Sequence, residues 1–337
     1  AAAFHGRMAG EGDIIAFDMG GTTAKMCLVR DGNPNRVYEF EAARLQRFKK
    51  GSGIPLRIPV VEMIEIGAGG GSIAHLDNMN MLKVGPESAS SVPGPACYGL
   101  GGEDPVVTDA DLVLGYLDPG YFLGGDMRLN LELAVRAITD KVASPLGIGV
   151  IEAAAGIHEI VNHNMVSAAR IHIAEKGIDP RKFSLVATGG AGPVHAYGIA
   201  RLLGLTTIIC PPATGVASAG GMLVAPPMVE LGRSYVSRLD SADWTYLRGL
   251  YEEMRTKALD GLRKAGVSEA EVRTILTAEM RFAGQGYEIA VPMPEHALTG
   301  EGAGTLVESF LVEYEAAFGH CPQGVAVEII NVRLRAF

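Results

Sequence analysis

The stretch FSLVATGGAGPVHAYGIARLLGLTTIIC, Phe183 to Cys210, constrains the fold more than any other. FSLVA reads as an apolar strand, and a glycine turn follows it. VHAYGIARLLG has helical spacing, and TTIIC reads as a second strand. Two strands joined through a helix pair in parallel, because only an antiparallel pair can be closed by a tight turn. The chain is therefore expected to be α/β.

The rest of the pattern supports that reading. Strand-like runs at 13–18, 23–30, 61–66 and 81–84 are punctuated by the turns DGNPN, GAGGGS and LDNMN. Residues 85–102, rich in Gly and Pro, predict an irregular loop, and long loops of this kind usually have a function. A helix is expected over about 130–143. A longer one places Ile157, Ile160, Val161, Met165 and Ala168 at helical spacing before Gly177 ends it. Helix-rich sequence at 243–265, strands around 275–292, a helix near 305–318 and a last strand complete the chain. The division expected is an α/β domain over 1–230 and a smaller α+β lobe over 231–337. No solenoid-like repeat is visible.

Charge and cysteine usage exclude several classes. The chain has 337 residues and a net charge of −9. The largest basic cluster is RFKK at 47–50, so nucleic acid is not an expected partner. No apolar run approaches the ~20 residues of a membrane span, so no membrane partner is expected either. Cys27, Cys97, Cys210 and Cys321 form no CxxC pair, which favours reduced thiols and a cytoplasmic location. The opening AAAFHGRMAG is helix-like from its first residue and lacks an initiator Met. A segment of something longer is the expectation.

Three glycine turns carry the chemistry. In FDMGGTTAK an apolar strand delivers Asp18 to a bend. Gly20 and Gly21 admit close backbone approach, Thr22 and Thr23 add hydroxyls, and Asp18 can hold a hydrated Mg²⁺. The Lys of a P-loop is absent. Taken alone, the segment reads equally as an ordinary hairpin between core strands. In VATGGAGPVHA, a strand meets Gly189, Gly190, Ala191 and Gly192, and Pro193 opens a helix whose N-terminus favours anions. EIGAGGGSIA places Gly69 and Gly70 at a third strand end. Three such turns in one α/β chain point to nucleotide phosphate.

Other constellations are weaker. His158 and His163 in HEIVNH are five apart and lie about 140° from each other around a helix, unfavourable for one zinc; surface or interface histidines are expected. GVASAGG around Ser218 lacks the spacing of a hydrolase elbow and reads as a small-residue turn packed on a helix. In VVTDADLVLG, Thr108 or Asp109 either caps a helix starting near Leu112 or, with Asp111, serves a cleft on a metal or water.

Taken in order, FDMGGTTAK, EIGAGGGSIA, VGPESASSVPGPACYGLGG, VTDADLVLG, ATGGAGPVHA, PPATGVASAGG and MRFAGQGYEI resemble the hydantoinase A/5-oxoprolinase family across essentially the whole chain. That resemblance implies a ribonuclease H-like core of the actin, sugar-kinase and chaperone-ATPase type. It implies ATP and Mg²⁺ as cofactors, with Asp18 to Thr23 as a second phosphate motif and Gly189 to His195 as an adenosine motif. Asp18 and Asp109 stand as the candidate catalytic residues, Asp18 also as metal ligand. Gly20, Gly21, Thr22, Thr23, Gly69, Gly70, Gly189, Gly190, Ala191, Gly192 and His195 stand as cofactor contacts. Lys25 departs from the Asp found in many members, so no metal-linked role carries over to it.

The implied activity is ATP-dependent phosphorylation of a cyclic amide, such as a hydantoin or 5-oxoproline, before ring opening. Alternatives are a subunit of an acetone- or acetophenone-type ketone carboxylase, or a nucleotide-binding assembly module without turnover. A hydantoinase B-type subunit is the expected partner. The resemblance implies that the first phosphate motif lies in an N-terminal domain of the family that is not part of this sequence. This chain is therefore expected to be a central piece with negligible ATPase alone and an apolar docking surface that includes the helix at Ala1–Met8.

Overall fold

The computed structural model describes residues 1–43, 52–299 and 302–337. The RFKK cluster lies outside them. The chain forms two compact units, Ala1–Val224 and Ala225–Phe337.

The first unit opens with α1 (Ala2–Met8), then β1 (Ile14–Met19) and β2 (Ala24–Arg30). Along β2, Ala24, Met26 and Leu28 are buried while Lys25 and Cys27 are less so, the alternation of a sheet with unequal faces. β3 (Asn33–Pro34), β4 (Met63–Ile66), β5 (Ser72–Leu76) and β6 (Leu82–Ser88) follow, and then α2 (Val107–Val113) and α3 (Leu131–Ile138). Next come α4 (Val150–Glu175), β7 (Ser184–Thr188), α5 (Gly192–Leu203), β8 (Ile208–Ile209) and α6 (Ala217–Val224).

The main sheet has the order β8-β7-β1-β2-β3, with β4 also on β2. β7 is parallel to both β1 and β8, and β2 is antiparallel to β1. The expected βαβ unit is therefore present as β7–α5–β8. β1 lies mid-sheet, and both its faces are covered. On one side Ile15, Phe17 and Met19 pack with Ile157, Val161 and Met165 of α4 and Ile199 of α5. On the other, Ile14 meets Val29 and Val186 beneath Ala2 and Ala3 of α1. Each such side chain removed from water contributes roughly 1.5–3 kcal/mol. Most of α1 is thus partly or fully buried, and only its C-terminal end, at Met8, is strongly exposed.

Three boundaries differ from expectation. β6 continues to Ser88, into the segment read as irregular, with a register shift between Val84 and Ser88. α2 starts five residues earlier than Leu112, at Val107. α3 passes into a π-helical turn, Thr139–Ala143, instead of running on as α-helix. Gly177 does follow the end of α4, with φ of +63°.

The second unit comprises β9 (Val229–Arg238), α7 (Trp244–Lys264), β10 (Thr274–Phe282), β11 (Ile289–Pro292), α8 (Ala303–Phe318) and β12 (Val327–Ala336). Its antiparallel sheet has the order β9-β12-β10-β11. Leu247 and Met254 of α7 and Phe310 of α8 share its core with Phe282 and Val332.

Among the described residues, no single helix is long and apolar enough to cross a membrane. The bent pair Leu131–Leu146 and Val150–Glu175 passes on length and composition together. Its apolar residues Ile138, Val142, Ile157 and Met165 belong to the core of the first unit.

Candidate functional site

The C-terminal end of β1 carries a polar row across four strands. Asp18 is in register with Thr188 on β7 and with Lys25 on β2, and Lys25 is in register with Glu65 on β4. The Thr188 hydroxyl donates to Asp18 Oδ2 over 2.8 Å, and the Ser218 hydroxyl donates to the same oxygen over 3.3 Å. Lys25 turns away: its Nζ lies 3.4 Å from Glu65 and donates to Thr23 Oγ1 over 3.1 Å. Asp18 is half-buried and makes no ion pair among the described residues. Ser218, expected only to pack, is therefore a neighbour of the key carboxylate.

The three glycine turns form one interlocked cradle. The Gly20 N–H donates to the Thr23 carbonyl and closes the first turn. Gly70 and Gly71 donate to the carbonyls of Gly20 and Gly21, at 3.0 and 2.6 Å. The third turn is held through Ala191, which donates to Met19 over 3.0 Å, and Gly189, which donates to Thr214 over 2.9 Å. A Cβ on Gly69 would lie 2.5 Å from the Gly21 backbone, and one on Gly189, where φ is +85°, 2.3 Å from the Met19 carbonyl oxygen. These positions need glycine because backbone packs against backbone.

This corrects part of the predicted contact set. Gly69 donates its N–H to Ser72 Oγ, and the amides of Gly70, Gly189 and Ala191 are engaged inside the cradle. They shape the turns and are not free donors to a ligand. Open space lies instead over Gly20, Gly21 and Gly190, where an added Cβ meets nothing within 4 Å. Thr22 is exposed beside them, with Thr23 half-buried. Gly192 opens α5 and Pro193 occupies its first turn, so this helix end lies next to the cradle.

Asp109 is not placed for catalysis. It is fully buried, and its carboxylate accepts the backbone N–H groups of Ala96, Cys97 and Val106 at 2.8–3.2 Å. It ties the 96–98 turn to the start of α2. Burial pushes its carboxyl above the ordinary range, against the hydrogen bonds from the Cys97 thiol and these N–H groups. Thr108 anchors the same helix to the cradle, its N–H and hydroxyl both donating to the Gly70 carbonyl.

Two positions along α2, Asp111 points elsewhere, as 200° of helical rotation requires. His158 Nδ1 lies 2.8 Å from Asp111 Oδ1, and His195 Nε2 lies 3.3 Å from Asp111 Oδ2. The two imidazoles stack with centroids 4.5 Å apart. Burial alone would raise the Asp111 carboxyl, but the His158 hydrogen bond and the closeness of both imidazoles hold it below the usual range. His195, expected beside adenosine, is fully buried, and its Nδ1 sits 2.8 Å from Asn162 Oδ1. It faces this interior cluster, which turns it away from a ligand on the cradle.

A carboxylate, hydroxyls, bare glycine backbone and a helix N-terminus at one sheet end define an α/β protein with a glycine-lined cradle, an arrangement suited to anions. Residues 1–230 match the Hydantoinase/oxoprolinase family, and the chain belongs to that family. It is 36% identical over 323 residues to caprolactamase subunit alpha of Pseudomonas jessenii, covering 95% of this chain and 45% of that one. The acetophenone carboxylase gamma subunit of Aromatoleum aromaticum is 34% identical over 345 residues, with 98% and 46% covered. The crystal structure of the ATP-dependent caprolactamase from Pseudomonas jessenii superposes with a TM-score of 0.80 at 34% identity, covering 99% of this chain and 47% of that one. The chain spans about half the length of these relatives.

Proposed function

We propose that this chain is the nucleotide-gripping part of an ATP-dependent cyclic-amide hydrolase, in which a lactam or hydantoin oxygen is phosphorylated before the ring opens. The observation that carries the reading is the cradle itself, with Asp18, which makes no ion pair among the described residues, beside the open faces of Gly20, Gly21 and Gly190. The order β8-β7-β1-β2, with one antiparallel and two parallel pairings, supports a ribonuclease H-like core of the actin and sugar-kinase type.

Phosphoryl transfer is catalysed mainly by positioning and charge stabilisation. The half-buried Asp18 carboxylate, with two hydroxyls on one oxygen, fits a hydrated Mg²⁺, a hard ion that prefers carboxylate and water. When bound, that ion offsets phosphate charge. Thr22 and Thr23 offer hydroxyls, and the turn at Gly20–Gly21 lets phosphate oxygens approach the backbone. Thr188 and Ser218 fix the Asp18 rotamer, and Lys25 holds Thr23 in place while paired with Glu65.

The amide substrate class, a hydantoinase B-type partner subunit and a cytoplasmic location belong to the same proposal. The chain alone is expected to hydrolyse ATP negligibly, because one wall of a cleft cannot exclude water. The ketone-carboxylase reading is favoured by the 34% identity to the acetophenone carboxylase subunit. The test is phosphate release from ATP by the complete enzyme with its partner subunit. Lactam-dependent release, lost in Asp18→Ala, supports the hydrolase. Release that requires a ketone with bicarbonate replaces it with the carboxylase. ATP turnover unchanged by Asp18→Ala would overturn the site.

A further inference from the structure

The nucleotide cradle leaves the buried Asp111, His158 and His195 without a function, and their arrangement is unusual for a structural core. Three ligand atoms, one from each residue, lie within 4.8 Å of one another. Asp111 and His195 are 3% and 0% exposed at their side chains, and His158 is 12% exposed.

The hydrogen bonds around His195 define its needs. With Nδ1–H donating to Asn162 Oδ1, the neutral ring presents the lone pair of Nε2. That atom is buried and has no hydrogen-bond partner among the described residues, although Asp111 Oδ2 is only 3.3 Å away. Contact distance without donor geometry leaves two electron-rich atoms facing each other away from water. Such an arrangement is costly unless a positive charge lies between them. Ligands at ~2.0–2.2 Å from a common ion are themselves ~3.0–3.5 Å apart, which matches the Nε2–Oδ2 spacing.

We propose that Asp111, His158 and His195 bind a divalent transition-metal ion, zinc or a neighbour of it, through two imidazoles and one carboxylate. Two nitrogen donors disfavour magnesium, which prefers all-oxygen ligands, so this site is chemically distinct from any at Asp18. Asn162 fixes the His195 tautomer from behind, as outer partners of metal-bound histidines do. The stacked rings stand 15° from parallel, so the more exposed His158 ring would have to turn to share the ion. The ion then joins α2, α4 and α5. α2 is strapped to the second glycine turn through Thr108, and α5 starts at the third. The site therefore sets the cradle from behind and does not depend on what the cradle binds.

The test uses Co²⁺ as a probe on the full chain after treatment with a chelator, followed by visible spectroscopy and metal analysis of dialysed protein. The expected result is one equivalent of Co²⁺ with d–d absorption, displaced by Zn²⁺. His158→Gln abolishes the absorption and Asn162→Ala weakens binding by about 10–100-fold. The exposed His163→Gln leaves both unchanged. Circular dichroism and melting curves confirm that each variant is folded, and His158, the least buried ligand, is the safest to change. Two results would overturn the proposal: a folded wild-type chain that retains no stoichiometric Co²⁺ or Zn²⁺, or equal binding by folded His158→Gln. Either leaves the cluster as a buried histidine–carboxylate contact without an ion.

Discussion

Gly70 donates its backbone N–H to the carbonyl of Gly20 over 3.0 Å, although the two residues are 50 positions apart in the sequence. With the parallel bond from Gly71 to Gly21, this makes the second glycine loop a strap on the first. The cradle is therefore preorganised by backbone pairing. Its glycines divide into those that build it and those that face what it holds.

That division is testable by adding single methyl groups. Gly69→Ala places a Cβ 2.5 Å from backbone that cannot yield cheaply. It should destabilise the first unit by roughly 1–3 kcal/mol, the usual cost of overpacking. Gly20→Ala meets nothing within 4 Å, so it should stay within about 0.5 kcal/mol of wild type. Urea titration of both variants checks this; equal destabilisation would mean that Gly20 also builds the turn.

Asp109 makes the opposite kind of prediction, about structure where catalysis was expected. Asp109→Ala would leave three buried N–H groups without their acceptor. At about 1–3 kcal/mol for each unsatisfied group, the loss should reach at least about 3 kcal/mol. The pH dependence follows from the raised carboxyl. Because the folded value lies above the unfolded one, the folded state holds more protons between them, and stability falls as pH rises through that window. Relative to Asp109→Asn, the wild type should therefore gain stability on going from neutral pH toward pH ~4. Paired denaturation curves across that range measure the difference, and one that runs the other way contradicts the direction of the shift.

The local part of this architecture was legible in the sequence, and the non-local part was not. Apolar runs broken by glycine located β1, β2, β7 and the helix after it, because strand and turn chemistry act over a few residues. The turns at Gly20 and Gly189 were recognised for the same reason. Which amides remained free was invisible, since Gly70 finds its acceptor on a distant turn and Ala191 finds its own at Met19. Spacing sets His158 only against His163 on its own helix, whereas its partner is Asp111, 47 residues away. A signal did exist: His158 and Asn162 stand one turn apart beside the buried Ile157 and Val161, a polar edge on an apolar stripe. Ser218 left no such mark, because only the folded α6 brings it to Asp18.

The second unit offers a prediction independent of any ligand. Glu279 on β10 is buried and accepts Arg333 Nε at 2.6 Å and Asn331 Nδ2 at 2.5 Å from β12. Removing one partner of a buried charged pair leaves the other desolvated, at a cost of about 3–5 kcal/mol. Glu279→Ala should fall in that range, while Glu279→Gln keeps an acceptor and should lose less. Thermal melts following the Trp244 fluorescence would report it, and two equal losses would show that the charge is immaterial.

The sharpest discrimination at the cradle comes from Gly190. A Cβ added there meets nothing within 4 Å, and one added on Gly215 would lie 4.0 Å from its Cα. A side chain there is accommodated by the empty protein, because the φ of Gly190 lies outside the left-handed region that strains other residues. If adenine nucleotide lies over this turn, the branched side chain of Gly190→Val occupies its place. Affinity for ATP in the complete enzyme should then fall by at least about tenfold, or 1.4 kcal/mol, with melting temperature little changed. The neighbouring Gly189→Val cannot serve as the variant, since its Cβ would strike the Met19 backbone and unsettle the fold. Calorimetric titration of wild type and Gly190→Val with ATP and Mg²⁺ separates the outcomes. Loss of affinity in a folded variant places nucleotide over the third turn, and undiminished affinity moves it to another surface.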